Sequence, residues 1–165
     1  EIVDTLNNFQ SDVILELGGT FSDKNYEKIL RQREGWRYVK YHGQVTREEM
    51  KRIFSKSSLG LVTYHPVKSH LMAQPNKLFD YLSAGLPILC SNFEHWMNMF
   101  NEKNYIFYVD PTDTSSIEEG LNFFISKKEK LSNFGEDGRQ FVKENFSWES
   151  EEKKLVNFYS NHMVN

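Results

Sequence analysis

Segments typical of strands and segments typical of helices alternate along most of the chain, and this alternation limits the possible folds more than any other feature. The strand-like segments are short apolar runs, which we predict at Asp12–Leu17, Trp36–His42, Ser58–Thr63, Leu86–Ser91 and Tyr105–Val109. Helix-like segments separate them, and further helices are predicted near Ser115–Ser126, Lys127–Asn145 and Trp148–His162. This order favours an α/β fold, with an open, mostly parallel, Rossmann-like sheet, helices on both faces and extra C-terminal helices.

Local signals mark where several of the helices begin and end. Ser22 is predicted to cap the helix that follows the first strand. Thr46 and Glu49 have the spacing of a capping box, in which each side chain accepts a hydrogen bond from a backbone amide of the first turn. Gly85 follows the predicted helix Asn76–Ala84 at the position where glycine commonly ends a helix.

Length and composition exclude several classes of protein. With 165 residues, of which 39% are hydrophobic, the chain can form one domain with its own core and is too apolar to be disordered. Its net charge of −3 argues against a nucleic-acid binder that relies on basic charge. No uncharged run approaches the ~18 residues that a transmembrane helix needs. The single cysteine, Cys90, lies in an apolar run, so we expect a buried, unreactive thiol, which fits a cytoplasmic location.

The predicted architecture selects three loops as candidate binding elements. Ligands of open α/β sheets bind outside the carboxyl ends of the strands. Gly18 and Gly19 follow the first predicted strand, and His42 and Gly43 end the second. The segment Tyr64–Pro75, which has no clean apolar period, follows the third strand as a long loop.

Several kinds of catalytic and metal site lack their residues in this sequence. The glycine-rich phosphate motifs GxGxxG and GxxxxGK[ST] are absent, as are HExxH, GxSxG and Asp-x-Asp. Among the five histidines, His65 and His70 share a loop, but a metal site there would need a third ligand that the sequence does not offer. We therefore expect no metal site and no cofactor.

The helix that follows the long loop offers the best candidate for a binding site. Pro75 fits just before its first turn, where a missing N–H costs nothing. The amides of Asn76, Lys77 and Leu78 would then be free to bind an anion, and the Lys77 ammonium adds a positive charge. Asp80, about one turn further along, is placed to accept hydrogen bonds from a diol such as ribose. The arrangement suits a nucleotide diphosphate; the alternative is that Lys77 and Asp80 form only a surface ion pair.

The whole chain resembles one family of enzymes, segment by segment and in the same order. The run PNKLFDYLSAGLPIL resembles the "P-x-K-[LF]-[FY]-E-Y-[LM]-A-x-G-x-P" segment of family 4-type glycosyltransferases with the GT-B fold. Four other motifs of the family are matched as well. Tyr41–Met50 matches "F-x-G-x-V-x-x-E-E-[LM]", and Val109–Asp113 matches "V-x-P-x-D/N". Gly135–Arg139 matches "G-x-x-G-R", and Phe146–Trp148 matches "[FY]-x-W".

The resemblance implies a domain organisation. Such enzymes have two Rossmann-like domains, of which the C-terminal one binds a nucleotide-sugar donor and the N-terminal one recognises the acceptor. Residues 1–165 look like that C-terminal domain, without its first strand, and Glu1–Phe9 look like the second half of its first helix. We therefore expect a longer protein, whose N-terminal acceptor domain is absent here, and we expect this chain alone to be inactive.

The resemblance also assigns roles to individual residues. Asp80 stands where the family has the glutamate that bonds the ribose hydroxyls, and Met72 stands where the family has a second glutamate. The remaining candidates match the turns and the loop that approach the donor, and they are Gly18, Gly19, His42, Gly43, Tyr64, His65 and Ser69. Lys77 and the neighbouring amides would stabilise the departing diphosphate, so Lys77 is the predicted catalytic residue.

The resemblance implies a hexosyltransferase that uses a UDP- or GDP-sugar without an essential metal. It further implies surface-polysaccharide synthesis in the cytoplasm, with peripheral membrane contact of the full-length enzyme and no nucleic-acid partner. Two alternatives stay open: a GT-B-fold epimerase or phosphorylase domain, and a non-catalytic α/β module that binds nucleotides or phosphate. Large aromatic residues at helical spacing are assigned to the core, and they are Trp96, Phe100, Phe123 and Phe124.

Overall fold

A computed structural model describes residues 1–9, 12–100 and 103–162 of the chain. Its strands are β1 Leu15–Gly18, β2 Val39–Gly43, β3 Gly60–Val62, β4 Ile88–Ser91 and β5 Ile106–Val109. Its helices are α1 Ile2–Phe9, α2 Lys24–Arg31, α3 Arg47–Phe54, α4 Lys68–Leu71, α5 Asn76–Ser83, α6 Glu94–Phe100, α7 Thr114–Ser126, α8 Leu131–Phe146 and α9 Trp148–His162. Short 3₁₀ helices occupy Glu34–Tyr38 and Lys128–Lys130.

All pairings between the described strands are parallel, as the sequence predicts. The strands form two sheets, one of order β1-β2 and one of order β3-β4-β5, where we expected a single sheet. In the smaller sheet the register pairs Leu17 with Tyr41 and Gly18 with Gly43, so the ladder skips His42 at a β-bulge. The fold is therefore an α/β fold of parallel strands and helices, with the extra C-terminal helices in place.

Helices cover both faces of the three-stranded sheet, so its central strand, β4, is buried on both sides. Ile88 and Cys90 point into a cluster with side chains of α5, α6 and α8, including Trp96 and Phe100. Leu89, between them, points to the opposite face, where residues of α7 such as Phe124 cover it. Trp96, Phe100 and Phe124 are confirmed as core residues, and Phe123 packs at the edge of the second cluster. Burial also raises the pKa of the Cys90 thiol, which agrees with an unreactive core cysteine.

Two predictions about the first half of the chain need correction. Asp23 caps α2, accepting hydrogen bonds from the amides of Asn25 and Tyr26, so the predicted cap at Ser22 is wrong. The predicted strand Trp36–His42 begins only at Val39, because the preceding residues form a 3₁₀ helix packed on α1. By contrast, the capping box at the start of α3 and the helix Trp148–His162 agree with the predictions.

The long segment between β3 and α5 is not entirely irregular. It contains the single helical turn α4. No side chain among the described residues caps this turn, so the sequence offers no cap from which it could be predicted. The predicted helix Lys127–Asn145 is likewise divided, into a 3₁₀ turn and α8.

The G-x-x-G-R motif holds α8 against the C-terminal end of α5 and the turn that follows. A Cβ atom placed on Gly135 would lie 1.8 Å from the carbonyl oxygen of Gly85, so the two backbones are in direct contact. At Gly138 an added Cβ would lie 2.7 Å from a methyl carbon of Leu82. The Arg139 guanidinium donates to the Ala84 carbonyl at 3.4 Å. The motif therefore supports the helix whose first turn is the candidate site.

The last helix, α9, leaves large apolar side chains uncovered. Trp148 is 68% exposed, and Leu155, Val156, Phe158 and Tyr159 are also exposed. No helix in residues 1–9, 12–100 and 103–162 has both the length and the hydrophobicity needed to cross a membrane.

Candidate functional site

The predicted site residues fall into two groups, the first at the carboxyl ends of β1 and β2. Gly19 and Gly43 both adopt positive φ, at 123° and 65°, which side chains of L residues rarely allow. The Gly19 amide donates to the Gly43 carbonyl at 2.6 Å, which joins the two turns directly. Gly18 pairs with Gly43 in the ladder, so all four predicted residues, including the bulged His42, lie together.

A carboxylate that the sequence analysis did not select lies beneath these turns. Glu16 on β1 pairs with both His42 and Lys40 of β2, the latter at 3.0 Å. Partial burial raises the pKa of Glu16, but hydrogen bonds from His42 and Lys40 outweigh it and hold the pKa below its usual value. Glu16 is therefore an ionised carboxylate at neutral pH. Its contact with His42 depends on strand register, which the sequence does not specify.

The second group surrounds the first turn of α5. Pro75 is its N-cap and contributes no side-chain hydrogen bond, so the helix begins without a capping side chain within the described residues. Asn76 and Lys77 are exposed, whereas the Leu78 side chain is fully buried. The Leu78 amide donates to the Pro75 carbonyl at 3.1 Å, so our expectation of a free amide there needs correction. The amides left for an anion are those of Asn76 and Lys77.

Lys77 and Asp80 do not form the surface ion pair that the alternative reading required. Neither side chain takes part in any ion pair among the residues that the structure describes. Instead, the Lys77 ammonium lies 5.7 Å from the centroid of the Tyr64 ring. Burial raises the pKa of the Tyr81 hydroxyl, and the nearby Tyr64 and Asp80 act in the same direction. Lys77 therefore lies beside Tyr64, and Asp80, three residues further along α5, lies on the same side of that helix as Lys77.

The loop before α5 is fixed to the core at two points. The Ser91 hydroxyl donates to the Tyr64 carbonyl at 2.7 Å, and the indole N–H of the buried Trp96 donates to the Ala73 carbonyl at 2.7 Å. Trp96, predicted only as a core residue, therefore also anchors this loop through its indole N–H. Met72, at the family's glutamate position, is 73% exposed.

The charge of this loop favours an anionic ligand. Residues 64–79 include His65, Lys68, His70 and Lys77 and contain no acidic residue, although the chain as a whole carries a net charge of −3. His65 lies 3.2 Å from the Glu1 carboxylate, and Ser69 is exposed on α4. Within the described part of the chain, no group of three or more His, Cys, Asp or Glu side chains is placed to hold a metal ion.

With this geometry established, comparison with known proteins identifies the family. The model of the glycosyl transferase-like family matches residues 2–157, and the chain therefore belongs to this family. No curated protein sequence matches the chain.

Solved structures of glycosyltransferases have the same fold. A glycosyltransferase from Rickettsia africae superposes with a TM-score of 0.77 at 13% identity, covering 99% of this chain and 44% of its own. Sucrose-phosphate synthase from Thermosynechococcus elongatus gives 0.73 at 16% identity, covering 98% of this chain and 42% of its own. HepE from Anabaena, solved with UDP and glucose, gives 0.71 at 15% identity, covering 96% and 43%. At these identities the likeness establishes the fold, that of GT-B glycosyltransferases, and the chain spans less than half of each of these structures.

Proposed function

We propose that this chain is the donor-binding domain of a glycosyltransferase, and that it binds a UDP- or GDP-sugar at the carboxyl ends of its strands. The single observation that carries the proposal is the uncapped start of α5, where Lys77 and Asp80 are exposed and unpaired within the described residues. The complete enzyme would transfer a hexose from the donor to an acceptor.

The phosphates of the donor bind at the first turn of α5. The free amides of Asn76 and Lys77 point out of the helix N-terminus, whose partial positive charge favours anions. The Lys77 ammonium supplies a full charge and, because none of the described carboxylates pairs with it, is free to contact a phosphate. Asp80 lies about 4.5 Å further along the helix axis, three residues at ~1.5 Å each, and accepts hydrogen bonds from the ribose hydroxyls.

The same groups act in the reaction. When the bond between the sugar and the diphosphate breaks, negative charge grows on the departing phosphate oxygen. Lys77 and the α5 amides stabilise that charge more strongly in the transition state than in the bound donor, which is what lowers the barrier. Because these groups already provide the positive charge, we propose that the reaction needs no essential metal and no cofactor.

The glycine turns and Tyr64 complete the donor site. Gly18, Gly19 and Gly43 allow the backbone to approach the ligand closely, and the His42–Gly43 turn contacts the base. Tyr64 lies beside Lys77 and is fixed by Ser91, so we propose that it forms part of the wall next to the diphosphate.

We further propose that a strand and a second domain outside this sequence complete the enzyme. A parallel strand between β1 and β3 would join the two sheets into one, in the order 3-2-1-4-5-6 that is typical of nucleotide-binding halves. The N-terminal acceptor domain would cover the exposed apolar side chains of α9, including Trp148. A surface-polysaccharide acceptor, a cytoplasmic location and peripheral membrane contact stay predictions from the resemblance.

Substitution of Asp80 tests this assignment. We expect Asp80→Asn to lower the affinity of the chain for its preferred nucleotide, UDP or GDP, by roughly tenfold, because the ribose hydroxyls lose a charged acceptor. Its affinity for inorganic pyrophosphate, which has no ribose, should stay within about twofold, since the phosphate-binding groups are unchanged. Isothermal titration calorimetry measures both affinities.

Asp12→Asn is the matched control. Asp12 is exposed and has no predicted role, and its substitution removes the same charge. Equal nucleotide affinity in Asp80→Asn and the wild type would contradict the assignment of the ribose site. If the wild type bound UDP and GDP no more tightly than pyrophosphate, the chain would be a phosphate-binding module instead.

A further inference from the structure

The β-bulge at the end of the small sheet places one side chain outside the regular ladder. Leu17 pairs with Tyr41 and Gly18 with Gly43, so His42 is the extra residue on β2. A bulge leaves its extra residue without a backbone partner and redirects its side chain. Something else must therefore fix His42, and with it the turn that follows.

Glu16 provides that contact from the neighbouring strand. It stands opposite Lys40 in the ladder, bonds the Lys40 ammonium at 3.0 Å and also reaches the Nε2 atom of His42. The Glu16 and His42 side chains are each only 24% exposed, whereas Lys40 is 62% exposed. The contact with His42 is thus the more sheltered of the two and the less weakened by water.

The surroundings of Glu16 keep it charged and available for this contact. It lines a cavity of about 210 Å³ together with Lys40, His42, Arg52 and Lys56. Glu49 also lines this cavity, but its carboxylate is occupied by the capping box with Thr46. Glu16 is therefore the carboxylate in direct contact with His42, while Glu49 lies near enough to His42 to interact with it electrostatically. Three basic side chains, Lys40, Arg52 and Lys56, outnumber these two carboxylates in the cavity.

The Glu16–His42 contact joins the same two strand ends as the bond between the two glycine turns. Glu16 precedes Gly19 by three positions, and His42 precedes Gly43 by one. The Gly19 amide donates to the Gly43 carbonyl at 2.6 Å, and both glycines have positive φ. Loss of the side-chain contact would free the bulge and allow the two turns to separate.

We propose that Glu16 is a positioning residue for the donor site: by holding the bulged His42, it fixes the two glycine turns in the geometry that binds the nucleoside end of the donor. This inference rests on the proposed function. It assigns Glu16 no contact with the ligand, so its effect should appear in nucleoside recognition and not in phosphate binding.

Substitution of Glu16 separates this role from a merely stabilising one. We expect Glu16→Gln to lower the affinity for the preferred nucleotide, UDP or GDP, by about tenfold, while affinity for pyrophosphate stays within about twofold. Amide hydrogen exchange at Gly19 should become at least about tenfold faster, because a neutral amide holds His42 less strongly than the carboxylate does. Two control variants should leave all three measurements near the wild type. Glu48→Gln removes a charge from an exposed ion pair on α3, and Lys40→Met removes the more exposed partner of Glu16.

A second pair of variants tests the same contact without changing Glu16, in case Glu16→Gln does not fold. His42→Gln retains a side-chain N–H that can reach Glu16, whereas His42→Ala does not. We expect the alanine variant to lose Gly19 protection and the glutamine variant to keep most of it. Amide exchange at Gly19 is the readout for this pair, because the His42–Gly43 turn is itself assigned to the base.

Three results would overturn the proposal. Wild-type nucleotide affinity and Gly19 exchange in Glu16→Gln would show that the turns do not depend on the charge of Glu16. An equal loss of affinity for the nucleotide and for pyrophosphate would show a general effect on stability. Equal Gly19 exchange rates in His42→Gln and His42→Ala would show that the side-chain contact does not hold the turns. If the wild type bound pyrophosphate but neither nucleotide, the proposed function itself would fail, even if Gly19 exchange responded as expected.

Discussion

Substituting Lys77 by methionine is expected to lower the affinity of the chain for UDP or GDP by about 10- to 100-fold, the range typical of a lost hydrogen bond to a charged group. Methionine keeps most of the length and the apolar character of the side chain but removes the ammonium next to Tyr64. The loss should be similar for pyrophosphate, because Lys77 is assigned to the phosphates. Calorimetric titration with each ligand measures the effect.

Lys128→Met is the control for this experiment, since Lys128 lies in an exposed 3₁₀ turn and has no assigned role. It should bind all ligands as the wild type does. Wild-type affinity in the Lys77→Met variant would mean that the phosphates bind elsewhere. A loss for the nucleotides but not for pyrophosphate would mean that Lys77 contacts the nucleoside instead.

Substituting Gly135 by alanine is expected to lower the free energy of unfolding by about 2 kcal/mol or more. Helix propensity alone favours alanine over glycine by about 1 kcal/mol. Against this, the new methyl group would lie 1.8 Å from the Gly85 carbonyl oxygen, so α8 must move away from α5. Inserting a group into a well-packed contact costs about 1–3 kcal/mol and sometimes more. Because the obstacle here is backbone, we expect a cost of about 3 kcal/mol or more, which leaves a net loss of about 2 kcal/mol or more after the gain in helix propensity.

Urea unfolding followed by circular dichroism measures this change. Ser132→Ala, at an exposed position in the same helix, should leave the free energy of unfolding within about 0.5 kcal/mol of the wild type. Unchanged or increased stability in Gly135→Ala would show that α8 does not pack on the end of α5 in the way described.

The order of helices and strands could be predicted because the apolar runs and helix caps of the sequence coincide with the buried strands and the helix starts of the structure. The continuous apolar run at β4 is buried on both faces, and the capping box of α3 forms as its spacing predicts. The strand predicted at Trp36 failed for a tertiary reason. Trp36 packs against Phe21 and Tyr41 and under the Arg31 guanidinium, so its aromatic character reflects a cluster between segments and not a strand.

The candidate site was predictable only where it depends on one short segment. Proline followed by a helical pattern places Lys77 and Asp80 on the first turns of α5, and the structure agrees. The contacts that hold the site together join residues far apart in sequence, such as Glu16 with His42 and Trp96 with Ala73. They depend on strand register and on how a loop meets the core, which local patterns do not encode.

Calorimetric titration of the wild-type chain with UDP, GDP and pyrophosphate tests the central claim most directly. We predict saturable binding of one nucleotide diphosphate per chain, tighter for UDP or GDP than for pyrophosphate, because Asp80 and the glycine turns add contacts that pyrophosphate lacks. Absence of binding by either nucleotide to the folded chain would contradict the assignment of a donor site at the start of α5.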